Sequence, residues 1–237
     1  MSFLEKSFSG QIFRPRPEIF LDKNGELFIV ATPWGNRQSA KRAVQILQDY
    51  YLAARQDAEA TSPFEHMSCL SHLANTVRIG IKLVNDALYN EENKEEFTSG
   101  LEIFVLAATV NEVAWAHVGN PFVLLDRPGR PLISLSSQFD LSTEFSNSPQ
   151  ALAPLPNHLV GIDSQLNVVV ESLKPSRGDR FILLSRSSVP AEVFSLSSKE
   201  RNLESISKVL AKDSSDLPFW LGIHDFTALE RGDRRSA

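Results

Sequence analysis

The hydrophobic period changes twice along this chain, and the order of those changes limits the fold more than any single motif does. Short strand-like runs come first, over residues 8–13, 18–21 and 27–31. Pro15 and Pro17 break the first run, because neither can donate to a ladder. Asp22-Lys23-Asn24-Gly25 reads as a hairpin turn, its asparagine and glycine tolerating positive φ. The period then lengthens. Ala43, Ile46, Leu47, Tyr50 and Tyr51 recur at helical spacing within residues 39–58, and Leu70, Leu73, Val77, Ile81, Val84 and Leu88 within residues 64–90. The polar tract 90–96 follows and reads as a solvated loop.

After that tract the period returns to two. Strands are expected at 101–110, 113–119 and 122–125, with turns at Asn111-Glu112 and Arg127-Pro128-Gly129. Residues 134–156 are rich in Ser, Pro and Asn and read as an irregular flap. Strands follow at 167–173 and 180–184, then a helix at 199–211 and a closing strand at 218–224. Strands, two long helices, many strands, a helix and a strand do not make the alternation of a parallel sheet. The order suits an α+β fold of antiparallel sheets stacked face to face with helices outside. No composition break divides the chain, so the expectation is a single domain over 8–226 with flexible termini at 1–7 and 227–237.

Composition removes several function classes. With 237 residues the chain can bury a core without staples. Its net charge is −5, and no basic stripe interleaves with aromatics, which excludes nucleic-acid binding from the expectations. No apolar run approaches membrane length, and residues 1–6 lack an apolar signal core, so no membrane association and a cytoplasmic location are expected. Cys69 is the only cysteine, so no intrachain disulfide can form. The five histidines have no ligand spacing such as His-Glu-x-x-His, and there is no Gly-x-Ser-x-Gly elbow.

Four local segments carry a resemblance. Ala31-Thr32-Pro33-Trp34-Gly35-Asn36 ends a buried strand; Trp115-Ala116-His117-Val118-Gly119-Asn120 precedes an apolar strand and a Pro-Gly turn. Gly178 to Ser185 and the apolar strand after Asp216 complete the set. Together they resemble, in order and spacing, the metal-dependent Ser/Thr phosphatases of the PPM or PP2C family over roughly residues 8–226. The resemblance implies a four-layer α/β/β/α sandwich of two antiparallel sheets flanked by helices. It also implies a site lined by carboxylates around two metal ions, with one arginine for the substrate phosphate.

Position by position, that site is emptied. Arg14 matches the phosphate-binding arginine, and Glu18 and Asp216 match two of the acids. The other acidic positions hold Ile19, Thr32, Asn120 and Ser187; Gly35 keeps the turn. A hydroxyl brings no charge to offset dehydration of a hard cation. Two dications about 3.5–4 Å apart repel by on the order of 15 kcal/mol at an effective dielectric of ~20, and two carboxylates neutralise only half of their charge. Glu18 and Asp216 therefore remain only as vestigial metal candidates and Arg14 as a vestigial phosphate candidate. The resemblance then implies a catalytically inactive, pseudophosphatase-like module with no cofactor, acting by binding a protein partner, a phosphoprotein or a protein kinase. The competing expectation is a divergent phosphatase using Mn2+ or Mg2+ through Glu18 and Asp216 with Asp179, Asp163 or Glu102. Trp34 either caps the core or plugs the old cleft.

Overall fold

The computed structural model describes residues 3–56, 62–136, 140–145 and 152–226. In chain order the strands are β1 (Phe3–Phe8), β2 (Glu18–Leu21), β3 (Leu27–Gly35), β4 (Ser99–Ala108), β5 (Val113–Val118), β6 (Phe122–Asp126), β7 (Ile133–Ser134), β8 (Val169–Leu173), β9 (Arg180–Ser185) and β10 (Phe219–Asp225). The α-helices are α1 (Gln38–Gln56), α2 (His72–Ala87), α3 (Ala191–Phe194) and α4 (Leu203–Asp213), with a π-helical turn at Leu88–Glu92 and a 3-10 turn at Leu141–Phe145. The chain divides into two compact units, each discontinuous in sequence: residues 1–14, 120–157 and 175–237 form the first, residues 15–119 and 158–174 the second. Each unit holds one five-stranded antiparallel sheet, so the fold is α+β as expected.

The second unit has strand order β2-β3-β4-β5-β8. Alternation along β3 sends Leu27, Ile29 and Ala31 into one core with Leu47 of α1 and Val77, Ile81 and Val84 of α2. Those helical residues are the stripes that the sequence spacing marks. The first unit has strand order β1-β10-β9-β6-β7, and Leu124, Ile182, Leu184 and Leu221 meet Ile206 and Leu210 of α4. No helix among the described residues is long and apolar enough to cross a membrane.

Several boundaries differ from the expectation, each for a local reason. The first strand is residues 3–8, not 8–13. Beyond Phe8 the chain crosses the segment before β10 so closely that a Cβ on Gly10 would lie 2.1 Å from the Asp216 carbonyl oxygen. Ile12 N–H donates to that same carbonyl at 3.3 Å, so this stretch cannot continue the ladder. The second helix begins at His72 rather than 64. Ser71 caps it by accepting from Ala74 N at 3.0 Å, while the Asn75 amide holds Met67 through both its oxygen and its nitrogen at 2.9 Å. These side-chain bonds give residues 67–71 an alternative to helical pairing.

The tract at 90–96 is not a plain solvated loop. Its start lies in the π-helical turn, Glu91 and Glu92 pair with Arg42 of α1, and Asn93 is 4% exposed. The helix expected at 199–211 runs from 203 to 213, capped where Asn202 accepts from Ser205 N at 3.0 Å. The short α3 after Pro190 has no helical period long enough to mark it. Of the expected flap at 134–156, residues 137–139 and 146–151 lie outside the described residues, as do 1–2 and 227–237 of the termini.

Candidate functional site

In the second unit the candidate positions sit on β2 and β3. Glu18 opens β2 opposite Ala31, and Ile19 lies opposite Val30. Cross-strand partners share a face of a sheet, so Glu18 stands with Ala31 on the helix side. Ile19 stands on the other side, with Val30 and Thr32. The sheet does not bring Glu18 to Thr32; it gives the Thr32 face an isoleucine. Glu18 is exposed and makes no hydrogen bond or ion pair to another described residue.

Thr32 is fully buried, and its hydroxyl has no hydrogen-bond partner among the described residues. Its register partner on β4 is Glu102. That carboxylate, 1% exposed, accepts from the Trp34 indole Nε1 at 3.0 Å. So Trp34 does more than cap apolar surface: it holds the acid that lies directly across from Thr32. Gly35 adopts φ +103°, and a Cβ there would lie 2.2 Å from the Thr98 carbonyl oxygen. Only glycine fits this turn, and Asn36 N–H closes it onto the same carbonyl at 3.1 Å.

In the first unit the structure gathers Arg14, Asp140 and Ser187. The Arg14 guanidinium is 3% exposed and lies 3.4 Å from the Asp140 carboxylate. It is therefore not an ordinary surface arginine. Asp140 also accepts from Ser142 N at 3.0 Å and Leu155 N at 2.8 Å. Burial pushes its carboxyl up, but these N–H groups and the hydroxyls of Ser187 and Ser142 more than offset that, so it sits below the usual carboxylate range. The Ser187 hydroxyl is near enough to bias Asp140, yet does not meet hydrogen-bond geometry with it. Asp140 lies in the Ser- and Pro-rich stretch, and nothing in the local sequence marks it.

Arg186, beside Ser187, is 1% exposed and donates to Asp213 at the end of α4 at 2.6 Å. Its Nε and second terminal nitrogen have no partner among the described residues. Asp216 is half-buried and its carboxylate makes no bond to a described residue; the contacts at this position come from its backbone carbonyl. Asn120 is buried and precedes a cis peptide bond to Pro121.

Of two further acids expected as alternative ligands, one has its carboxylate in structural work and the other, among the described residues, is held only by its backbone. Asp179 is fully buried, accepts from Arg127 at 2.9 and 2.7 Å, and takes Ser176 N at 2.8 Å. It anchors the turn before β9. Asp163 holds the Asn85 side chain through its backbone carbonyl at 2.9 Å.

No family model matches the sequence, and no curated protein matches it. Solved structures do match. The Mycobacterium tuberculosis serine/threonine phosphatase PstP/Ppp superposes with a TM-score of 0.65 at 12% identity, over 94% of this chain and 97% of that one. PppA of Pseudomonas aeruginosa superposes with a TM-score of 0.61 at 18% identity, over 95% and 97%. The fold is that of the PPM/PP2C Ser/Thr phosphatases. The catalytic domain of PstP in complex with two manganese ions, at 14% identity, has a TM-score of 0.58 and covers 94% and 97%.

A PP2C-like fold implies metal, and the residues at the matching positions do not fit two such ions. In the second unit Thr32 offers a buried neutral hydroxyl, Ile19 offers nothing, and Glu102 is engaged by an indole. In the first unit the Ser187 position is flanked by the buried cation Arg186. Among the described residues no group of three His, Cys, Asp or Glu side chains is placed to hold a metal ion.

Proposed function

We propose that this PP2C-like chain acts by binding rather than by hydrolysis. Residues 8–226 work as one pseudophosphatase-like regulatory module in the cytoplasm, and the partner is a protein, a phosphoprotein or a protein kinase. The observation that carries this reading is Thr32: a fully buried hydroxyl stands where the fold's relatives are expected to have a bridging carboxylate. A neutral oxygen there cannot offset the charge of a divalent pair. Arg14 supports a phosphate-directed role only if a phosphate displaces Asp140, since the guanidinium already faces that carboxylate. Phosphate matches a guanidinium bidentately and carries more charge than a carboxylate, so the exchange is chemically reasonable. PppA is described as a key regulatory component of a secretion system, which supports a regulatory use of this fold.

One observation favours the competing reading of a divergent Mn2+- or Mg2+-dependent phosphatase. Glu102 stands directly across from Thr32, so a carboxylate does remain on that face, one strand over. The test is hydrolysis of a generic aryl phosphate with millimolar Mn2+, by the parent and by Glu18→Ala/Asp216→Ala. The binding reading expects the same background rate from both. Turnover by the parent that the double variant loses would establish an altered metal site and end the pseudophosphatase reading.

A further inference from the structure

A cavity of about 710 Å³ opens within the second unit, away from β2 and β3. The end of α2, the π-helical turn and residues 164–167 line it, with Phe64 on one side. This volume lies in the range of small-molecule sites. Among the described residues its wall carries one cation, Lys82, one carboxylate, Asp86, and neutral polar groups from Asn90, Gln165 and Asn167.

Lys82 is the informative residue. Its ammonium lies 5.4 Å from the centroid of the Phe64 ring. It makes no hydrogen bond or ion pair to any described residue. Among the described residues Arg78, one turn earlier on the same helix, donates only to the Glu65 carbonyl, at 3.0 Å. Two cations four residues apart on a helix repel, and among the described residues no carboxylate is paired with either. Burial and then the charge of Arg78 push the Lys82 amine down. An anion in the cavity would relieve both effects.

The backbone around the cavity is unusual in the same place. Tyr89 and Asn90 reach its wall from the π-helical turn, which Asn93 N–H closes onto the Leu88 carbonyl at 2.9 Å. Such turns are rare and concentrate at functional sites. Asp86 accepts from Asn90 at 2.7 Å, which leaves carboxylate lone pairs for donors on a ligand. Phe64 and Tyr89 add flat apolar surface for a ring.

We infer that this cavity binds a small organic phosphate, its phosphate seated at Lys82 and its hydroxyl or amino donors on Asp86. The inference does not rest on the binding reading above, because Arg14 belongs to the other unit. Isothermal titration calorimetry with adenosine 5′-monophosphate and with inorganic phosphate as probes tests it. The nucleotide should bind saturably, and inorganic phosphate more weakly and in competition. Lys82→Gln should weaken nucleotide binding about tenfold or more, the scale of one charge-assisted contact. Asp86→Asn should weaken the nucleotide and leave inorganic phosphate unchanged. Absence of saturable binding by either probe at millimolar concentration would overturn the inference. So would nucleotide binding that survives Lys82→Gln unchanged in a variant with the parent's circular dichroism.

Discussion

Asp126 in the first unit and Asn93 in the second are both 4% exposed, and both use their polar atoms fully. One Asp126 oxygen accepts from Arg201 at 2.7 Å, and the other is taken by Arg180. Asn93 donates to Ser99 O at 2.6 Å and Gly161 O at 2.7 Å, and accepts from Thr98 N and Ser99 N at 3.0 Å each. One unit satisfies its interior with closed ion pairs, the other with a neutral amide clamp. Against these, Thr32 and Arg186 at the candidate-site positions leave buried polar atoms without partners among the described residues. An orphaned buried group costs about 1–3 kcal/mol. Asp126 and Asn93 therefore hold the fold, whereas Thr32 and Arg186 are carried at a cost. Stability measurements can separate the two kinds.

The largest effect is expected at the closed pair. Asp126→Asn removes the charge that compensates Arg201, itself 6% exposed, and leaves a guanidinium buried. Breaking such a pair on one side costs about 3–5 kcal/mol. Urea denaturation should show that loss with little change in m. A loss below about 1 kcal/mol would place Asp126 with the exposed pairs and remove the contrast between the two kinds of site.

Acid should act next, through a buried neutral histidine. Burial pulls His117 on β5 from 6.5 down to about 4. Between those values the unfolded chain binds the proton first, so stability is full above about pH 6.5 and falls as the pH drops toward about 4. At about 1.4 kcal/mol per unit, the loss attributable to His117 over that window is about 3 kcal/mol. His224, also buried and drawn down to about 4, adds in the same direction. Denaturant midpoints from pH 7 to pH 5 should fall in the parent and fall less in His117→Gln. An equal fall in both would assign the acid sensitivity elsewhere.

Long elements were legible because their periodicity extends beyond any local competitor. The stripes on α1 and α2, the strands β4 to β6 and the Asp22 to Gly25 turn all follow from spacing. Their ends were not legible where one side chain or a close approach decides: Ser71 and Asn75 delay α2, and Gly10 stops β1 against Asp216. The same division holds at the candidate site. The missing acids could be counted from the sequence, and Gly35 could be expected at its turn. The partners could not be. That Trp34 donates to Glu102 depends on the β3–β4 register, and that Arg14 faces Asp140 depends on a contact across 126 residues. Neither has a short-range signal.

Thr32→Val tests whether the site positions are indeed carried at a cost. The change keeps shape and β-branching, and it removes only the hydroxyl that lacks a partner. We expect a gain of about 1 kcal/mol, on the scale of one relieved orphan group. Destabilisation by a similar amount would mean that the hydroxyl is satisfied in solution, by water or a ligand, and would move Thr32 into the class of Asn93.

Arg186→Met should have the smallest effect, and its sign is the informative part. The substitution deletes a guanidinium with two unpartnered nitrogens from a position 1% exposed, and fills the space with an unbranched apolar chain. It also frees Asp213, which is 41% exposed and can be hydrated where it stands. Replacing buried ions by apolar groups of similar volume is often neutral or stabilising. The thermal midpoint should stay within the equivalent of about 1 kcal/mol of the parent, on the stabilising side. Contrast this with Asp126→Asn, which leaves its buried partner with no water to turn to. If Arg186→Met instead costs as much as Asp126→Asn, Arg186 is a closed structural pair after all, and buried charge in the first unit is of one kind throughout.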